Sequence, residues 1–172
     1  MPSNARAAFD KNAKDINRLL ELHEATAGTD PGRKYGVEVL NKSAIVLITA
    51  FWEAYCEDIA AEGLEHIVEH AESAKALPDE LKKIIAKKLK NEQHDLAVWK
   101  IADDSWRNYL NDHLDELKEK RDRKLNTPKT EQINELFKSA LGIENISKSW
   151  GRKWMSAAKS PNDNLVAIFI TA

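Results

Sequence analysis

The stretch Ala44-Ile45-Val46-Leu47-Ile48-Thr49-Ala50-Phe51-Trp52 decides the fold class. Only Thr49 interrupts its apolar character, so a helix over it has no polar face, and such a helix is one surrounded by others. The stretch is far short of the roughly 20 apolar residues that span a bilayer. It therefore reads as the first half of a long helix over residues 37–74, buried at the centre of an all-α bundle. In the second half Tyr55, Ile59, Leu64, Ile67 and Val68 recur at helical spacing and are expected to face inward. The outer face is acidic: from Glu53 to Glu80 there are nine acidic residues against one basic residue, Lys75.

Outward from this helix the pattern stays helical, and the five prolines fall between periodic segments. A first helix is predicted over residues 3–25, with Ser3 as N-cap and Phe9, Ile16, Leu19, Leu20 and His23 along one side. Gly28, Pro31 and Gly32 mark the turn that follows. After Pro78 the charge changes sign. Leu81, Ile84, Ile85 and Leu89 form one stripe, and Lys82, Lys83, Lys87, Lys88 and Lys90 cover the rest. A further helix is predicted over residues 95–125, with Trp99, Trp106, Tyr109, Leu110, Leu114 and Leu117 on its buried side. Thr127 can cap the next helix, with Pro128 in its first turn. That helix covers residues 131–141 and is closed by Gly142. Trp150 and Trp154 lie in an irregular stretch, and an apolar piece over residues 165–172 ends the sequence. The expectation is one helical domain over residues 1–172, made of about five to six helices.

Composition narrows the function classes. The chain has 172 residues, with 26 Lys and Arg against 28 Asp and Glu, for a net charge of -2. Overall basic charge is thus not available for binding nucleic acid, although a local patch is. A single cysteine, Cys56, excludes an internal disulfide and a cysteine-based zinc finger. No targeting or membrane-spanning segment is legible, so a cytoplasmic protein that does not engage a membrane is expected.

Four constellations bear on chemistry. His66-Ile-Val-Glu69-His70 matches H-x-x-E-H, which places two histidines on one helix face, but nothing singles out a third ligand. It reads as the outer face of an acidic helix, with no metal and no cofactor expected. Arg107 and His113 are separated by five residues. In a metal-independent RNA cleavage, arginine stabilises the phosphate charge while histidine moves a proton and the 2′-OH attacks phosphorus. At this spacing a regular helix sends the two side chains to different faces, so a solvated polar face is the plainer reading. Glu53 follows the most apolar stretch, where an acid is either partly buried with a shifted pKa or the first exposed residue of the acidic face. Lys120, Arg121, Arg123 and Lys124 lie in a local basic run that can attract a phosphate backbone. Such a run also suits a solvated helix C-terminus.

Two stretches carry a family resemblance. Val39-Leu-Asn-Lys-Ser-Ala-Ile-Val-Leu-Ile-Thr-Ala-Phe-Trp-Glu-Ala-Tyr55, followed by Glu57-Asp58, resembles the HEPN superfamily, in particular its RiboL-PSP-HEPN group. So does Leu125-Asn-Thr-Pro-Lys-Thr-Glu-Gln-Ile-Asn-Glu-Leu-Phe137, with Leu141-Gly-Ile and Ile146-Ser after it. The resemblance implies an up-and-down helical bundle that often dimerises. It also implies kinship with metal-independent endoribonucleases of toxin–antitoxin and antiphage systems, and hence RNA or a protein partner. The family motif is an arginine, four to six residues, then a histidine, just after a segment similar to Asp163-Asn-Leu-Val-Ala-Ile168. Here only Phe-Ile-Thr-Ala follows Ile168. The last arginine is Arg152 and the last histidine is His113. The expectation is therefore a truncated or catalytically degenerate endoribonuclease. The alternatives are a non-enzymatic dimerisation or partner-binding module, and an active ribonuclease that uses Arg107 and His113.

Overall fold

Helix α1 covers Asn4–Ala27, and the Ser3 hydroxyl caps it by accepting the Arg6 backbone N–H at 3.1 Å. The computed structural model describes residues 3–91, 96, 99, 101, 105–119 and 128–149. Among these residues it contains five α-helices: α1, α2 (Glu38–His70), α3 (Asp79–Lys90), α4 (Trp106–Glu119) and α5 (Thr130–Leu141). Short 3₁₀ turns cover Ala74–Ala76 and Ile146–Ser149. No strand occurs among the described residues, so the fold class is all-α, as the periodicity predicts.

The described residues divide into two compact units, one up to residue 55, the other from residue 56 to residue 149. Helix α2 contributes to both. In the first unit, Ala13 and Ile16 of α1 form a small core with Leu20, Leu47, Ile48 and Phe51 packed against it. Phe9 adds an aromatic cluster, with its ring 6.5 Å from Trp52 and 5.0 Å from Tyr55. Aromatic pairs at such distances stabilise by about 0.5–1.5 kcal/mol beyond their burial. Gly28, at φ 71°, ends α1 where the sequence places its turn.

The expectation of a buried first half for α2 needs correction. Val39, Ile45 and Val46 are 74%, 64% and 66% exposed. The residues of α2 that are buried are Cys56, Ala60, Leu64 and Val68, all in its second half. The reason is geometric. Among the described residues the core around Leu47, Ile48 and Phe51 is supplied by α1, and a single neighbouring helix covers only one side of a helical cylinder. An apolar sequence on all sides does not by itself supply neighbours on all sides.

Among the described residues the second unit holds the larger core. Leu64, Leu81, Leu110 and Ile133 are at most 1% exposed, so α2, α3, α4 and α5 each place a side chain in its interior. Small residues on α2 let α5 approach closely: a Cβ built on Gly63 would meet the methyls of Leu141 at 2.9 Å. Helix α5 ends at Gly142 as predicted, at φ 71° in the left-handed region. The same glycine lies against the start of α3, where an added Cβ would meet the Pro78 Cβ at 2.8 Å.

Two boundaries differ from the sequence reading. The helix expected from residue 95 begins at Trp106, and Leu96, Trp99 and Ile101 carry 3₁₀ turns instead. Trp99, expected on the buried side, is 73% exposed. Asp103-Asp104-Ser105 just before Trp106 is itself a helix-start signal, because these side chains compete for backbone groups inside a helix and favour its first turn. The helix expected over residues 131–141 is observed as Thr130–Leu141, with Pro128 ahead of it rather than in its first turn, and the Gln132 side chain accepts the Lys129 backbone N–H at 3.3 Å. Thr127, Trp150, Trp154 and the apolar piece 165–172 lie outside the described residues.

Gly142 combines a left-handed backbone with a close contact, so both costs fall on any side chain placed there. Gly142→Ala is expected to lower the unfolding free energy by about 1–2 kcal/mol. Urea denaturation followed by far-UV circular dichroism checks this, and an unchanged midpoint would contradict the packing described.

Candidate functional site

Arg107 and His113 both stand on α4 in the second unit, but they serve different partners. From the first turn of α4, Arg107 donates through its two terminal guanidinium nitrogens to the Val68 carbonyl and, at 2.5 Å, to the Ala71 carbonyl. These are carbonyls at the C-terminal end of α2, which has no intrahelical donors for its last turn. The guanidinium also lies over the Trp106 ring, 4.5 Å from its centroid. Trp106 itself is 2% exposed, so a buried aromatic surface holds the cation in place.

His113 lies six residues further along and reaches the opposite neighbour. Its Nε2 lies 2.8 Å from the Ser139 carbonyl of α5. A carbonyl can only accept, so Nε2 carries a proton and donates it. Nδ1 is buried and has no hydrogen-bond partner. A histidine held in this way clamps α4 to α5, with Nε2 engaged by the carbonyl and Nδ1 buried.

In the first unit, Glu53 is half-buried after Trp52, and burial pushes its carboxyl above the ordinary glutamate value. The partly buried side of the two readings for this residue is the one observed. The basic candidates Lys120, Arg121, Arg123 and Lys124 lie outside the described residues.

The electrostatics around α4 are acidic. Lys88, Asn91, Tyr109, Asp112, Asp115, Glu116 and Glu119 line an open cleft of about 630 Å³. Lys88 is held within it by Glu116 at 2.9 Å. Other basic groups are paired as well: Lys82 with Asp79 at 3.2 Å, Lys118 with Glu65 at 3.4 Å and Lys138 with Glu144 at 2.9 Å. The Lys138 ammonium holds the Glu144 carboxyl below its ordinary value. A face of this kind repels a phosphate backbone rather than attracting one. Among the described residues no group of three or more His, Cys, Asp or Glu side chains could hold a metal ion. No helix among them is long and apolar enough to cross a membrane.

A second arginine–histidine spacing, Arg18 and His23 on α1 with four residues between them, is absent from the sequence reading. Arg18 pairs with Glu21 at 2.8 Å on the exposed side of α1.

Comparison with known proteins gives one result. The family model of RiboL-PSP-HEPN matches residues 9–167. No curated protein and no solved structure matches the chain.

Two predictions rest on these contacts. Arg107→Ala is expected to destabilise by about 1.5–3 kcal/mol, because charge-assisted bonds to part-buried carbonyls are lost. Arg107→Lys should recover only part of this, since a point charge cannot span two carbonyls as a fork does. Equilibrium denaturation of the three proteins orders them as parent, Lys, Ala if the clamp is correct. The raised pKa of Glu53 makes its ionisation unfavourable in the folded state. The folded chain therefore holds this proton more tightly, and stability contributed here falls as pH rises from the unfolded value through the folded one. Glu53→Gln should raise the melting temperature at pH 7, and the gain should vanish below the ordinary glutamate pKa of about 4.3. A gain independent of pH would point away from ionisation.

Proposed function

The chain belongs to the RiboL-PSP-HEPN family, and on that footing we propose that it acts as an RNA-related protein of toxin or defence type in the cytoplasm. We read its 172 residues as a single HEPN-like domain without cleavage chemistry of its own. The observation that carries the second part is the engagement of Arg107 and His113. Two guanidinium nitrogens of Arg107 donate to carbonyls at the end of α2, and Nε2 of His113 donates to a carbonyl of α5. Metal-independent cleavage needs both groups on one phosphate, so that the arginine meets the charge and the histidine moves the proton of the same nucleotide. The buried and unpartnered Nδ1 of His113 and the acidic cleft along α4 support the same reading.

The test is RNA cleavage by the purified chain in EDTA, beside Arg107→Ala and His113→Ala variants whose folding is checked by circular dichroism. No cleavage by the parent is expected. Cleavage by the parent that is lost in both folded variants would establish an internal Arg–His site and reverse this proposal.

A second reading is a dimerisation module, favoured by the exposed apolar face of α2. Val39 and Val46 are seven residues apart, so they share one face, with Ile45 beside them. A second copy of the chain that buries these three side chains would contribute about 1.5–3 kcal/mol for each one fully covered. Light scattering is expected to give a dimer mass for the parent and a monomer mass for Val46→Glu. A parent that stays monomeric at high concentration would remove this reading.

A further inference from the structure

Two histidines on the last turns of α2 are not used by the proposed function. His66 and His70 are both exposed, and their rings stack with centroids 4.1 Å apart and planes 26° apart. This is the i, i+4 relation on one helix face, so turning the two exposed side chains out of the stack brings a nitrogen of each to one ion with no rearrangement of the backbone. The His70 Nδ1 lies 3.0 Å from the His66 carbonyl. Since that oxygen only accepts, Nδ1 bears the proton and Nε2 carries the lone pair. The Glu69 carboxylate stands 3.9 Å from the same Nδ1. A backbone carbonyl on the protonated nitrogen is one of the partners that fix the tautomer of metal-binding histidines.

We propose that His66 and His70 form a bidentate site for a late first-row divalent transition ion, with Cu²⁺ bound more tightly than Ni²⁺ or Zn²⁺. Imidazole suits these ions, and the order follows their intrinsic preference for nitrogen ligands. Position adds to the attraction. Glu69 and Glu72 flank the site in sequence and raise the local cation concentration. Two protein ligands leave the other coordination positions to water, so the ion exchanges readily. This is distinct from the three-ligand site of a zinc hydrolase. Because the helix presents both rings together, the ion binds the folded chain better than the unfolded one and stabilises it.

The test uses the untagged full chain titrated with Cu²⁺, Ni²⁺, Zn²⁺ and Mg²⁺ chloride salts by calorimetry, with electron paramagnetic resonance of the Cu²⁺ form. The expected result is one Cu²⁺ per chain, nitrogen hyperfine structure from two imidazoles, and a raised melting temperature. His66→Gln and His70→Gln should each weaken Cu²⁺ binding at least about tenfold, as expected when one of two ligands is lost. Unchanged Cu²⁺ affinity in both variants would overturn the proposal, because the ion would then be held elsewhere. Competition by Mg²⁺ at equal concentration would overturn it too, because the acidic face alone would then account for binding.

Discussion

The end of α2 is the point on which the second unit depends. A long helix leaves its last carbonyls without donors, and the negative end of its dipole collects there. No glycine follows His70 to close the helix in a left-handed turn. The closure comes from a distant residue, Arg107, whose fork spans the Val68 and Ala71 carbonyls. One side chain thus satisfies the helix end, places a positive charge against the dipole and ties α4 to α2. Trp106 fixes the direction of that fork by stacking under it, and its own burial anchors the first turn of α4. Removing the cation would leave part-buried carbonyls without this donor, and an unmade bond at such a site is costly.

The same economy of contact governs the approach of α5. Cys56, Ala60, Leu64 and Val68 recur every four residues along α2, and Gly63 adjoins this line. Small side chains here allow Leu141 to lie close to the α2 backbone, and Gly142 then turns the chain where Pro78 already occupies the space. His113 closes the other side of the unit by donating to Ser139. Backbone carbonyls of α2 and α5 are thus held by side chains from α4, which makes α4 the strut of the unit. Its two functional-looking residues do structural work at opposite sides.

How much of this was legible depended on whether the signal was local. Ser3, Gly28 and Gly142 end or begin helices through their own backbone chemistry, and each was readable in the sequence. The stripe Leu81, Ile85 was readable for the same reason, since a strongly amphipathic segment names its buried face. The first half of α2 was not readable in this way. An all-round apolar segment reports that burial would be favourable, but not which neighbours exist to provide it, and Val46 remains exposed. Cys56 and Ala60 escaped notice because hydrophobic periodicity is weighted by large side chains, whereas close helix packing selects small ones. Trp99 misled for the converse reason: a large aromatic at helical spacing looks like core, yet the helix begins only at Trp106.

The Arg107–His113 pair shows where motif spacing and geometry part. Six residues along a regular helix rotate a side chain by about 600°, which leaves it roughly 120° away from its starting direction. Two groups so placed cannot meet one phosphate from a straight helix. The spacing has catalytic meaning only where the helix is interrupted or where a second element supplies one of the groups. Helix α4 runs from Trp106 to Glu119 without interruption. The rotation that separates the two side chains is also what suits them to their present work, since it lets one helix reach α2 with an arginine and α5 with a histidine. A spacing that looks catalytic on paper is thus, in this fold, the spacing of a two-sided brace.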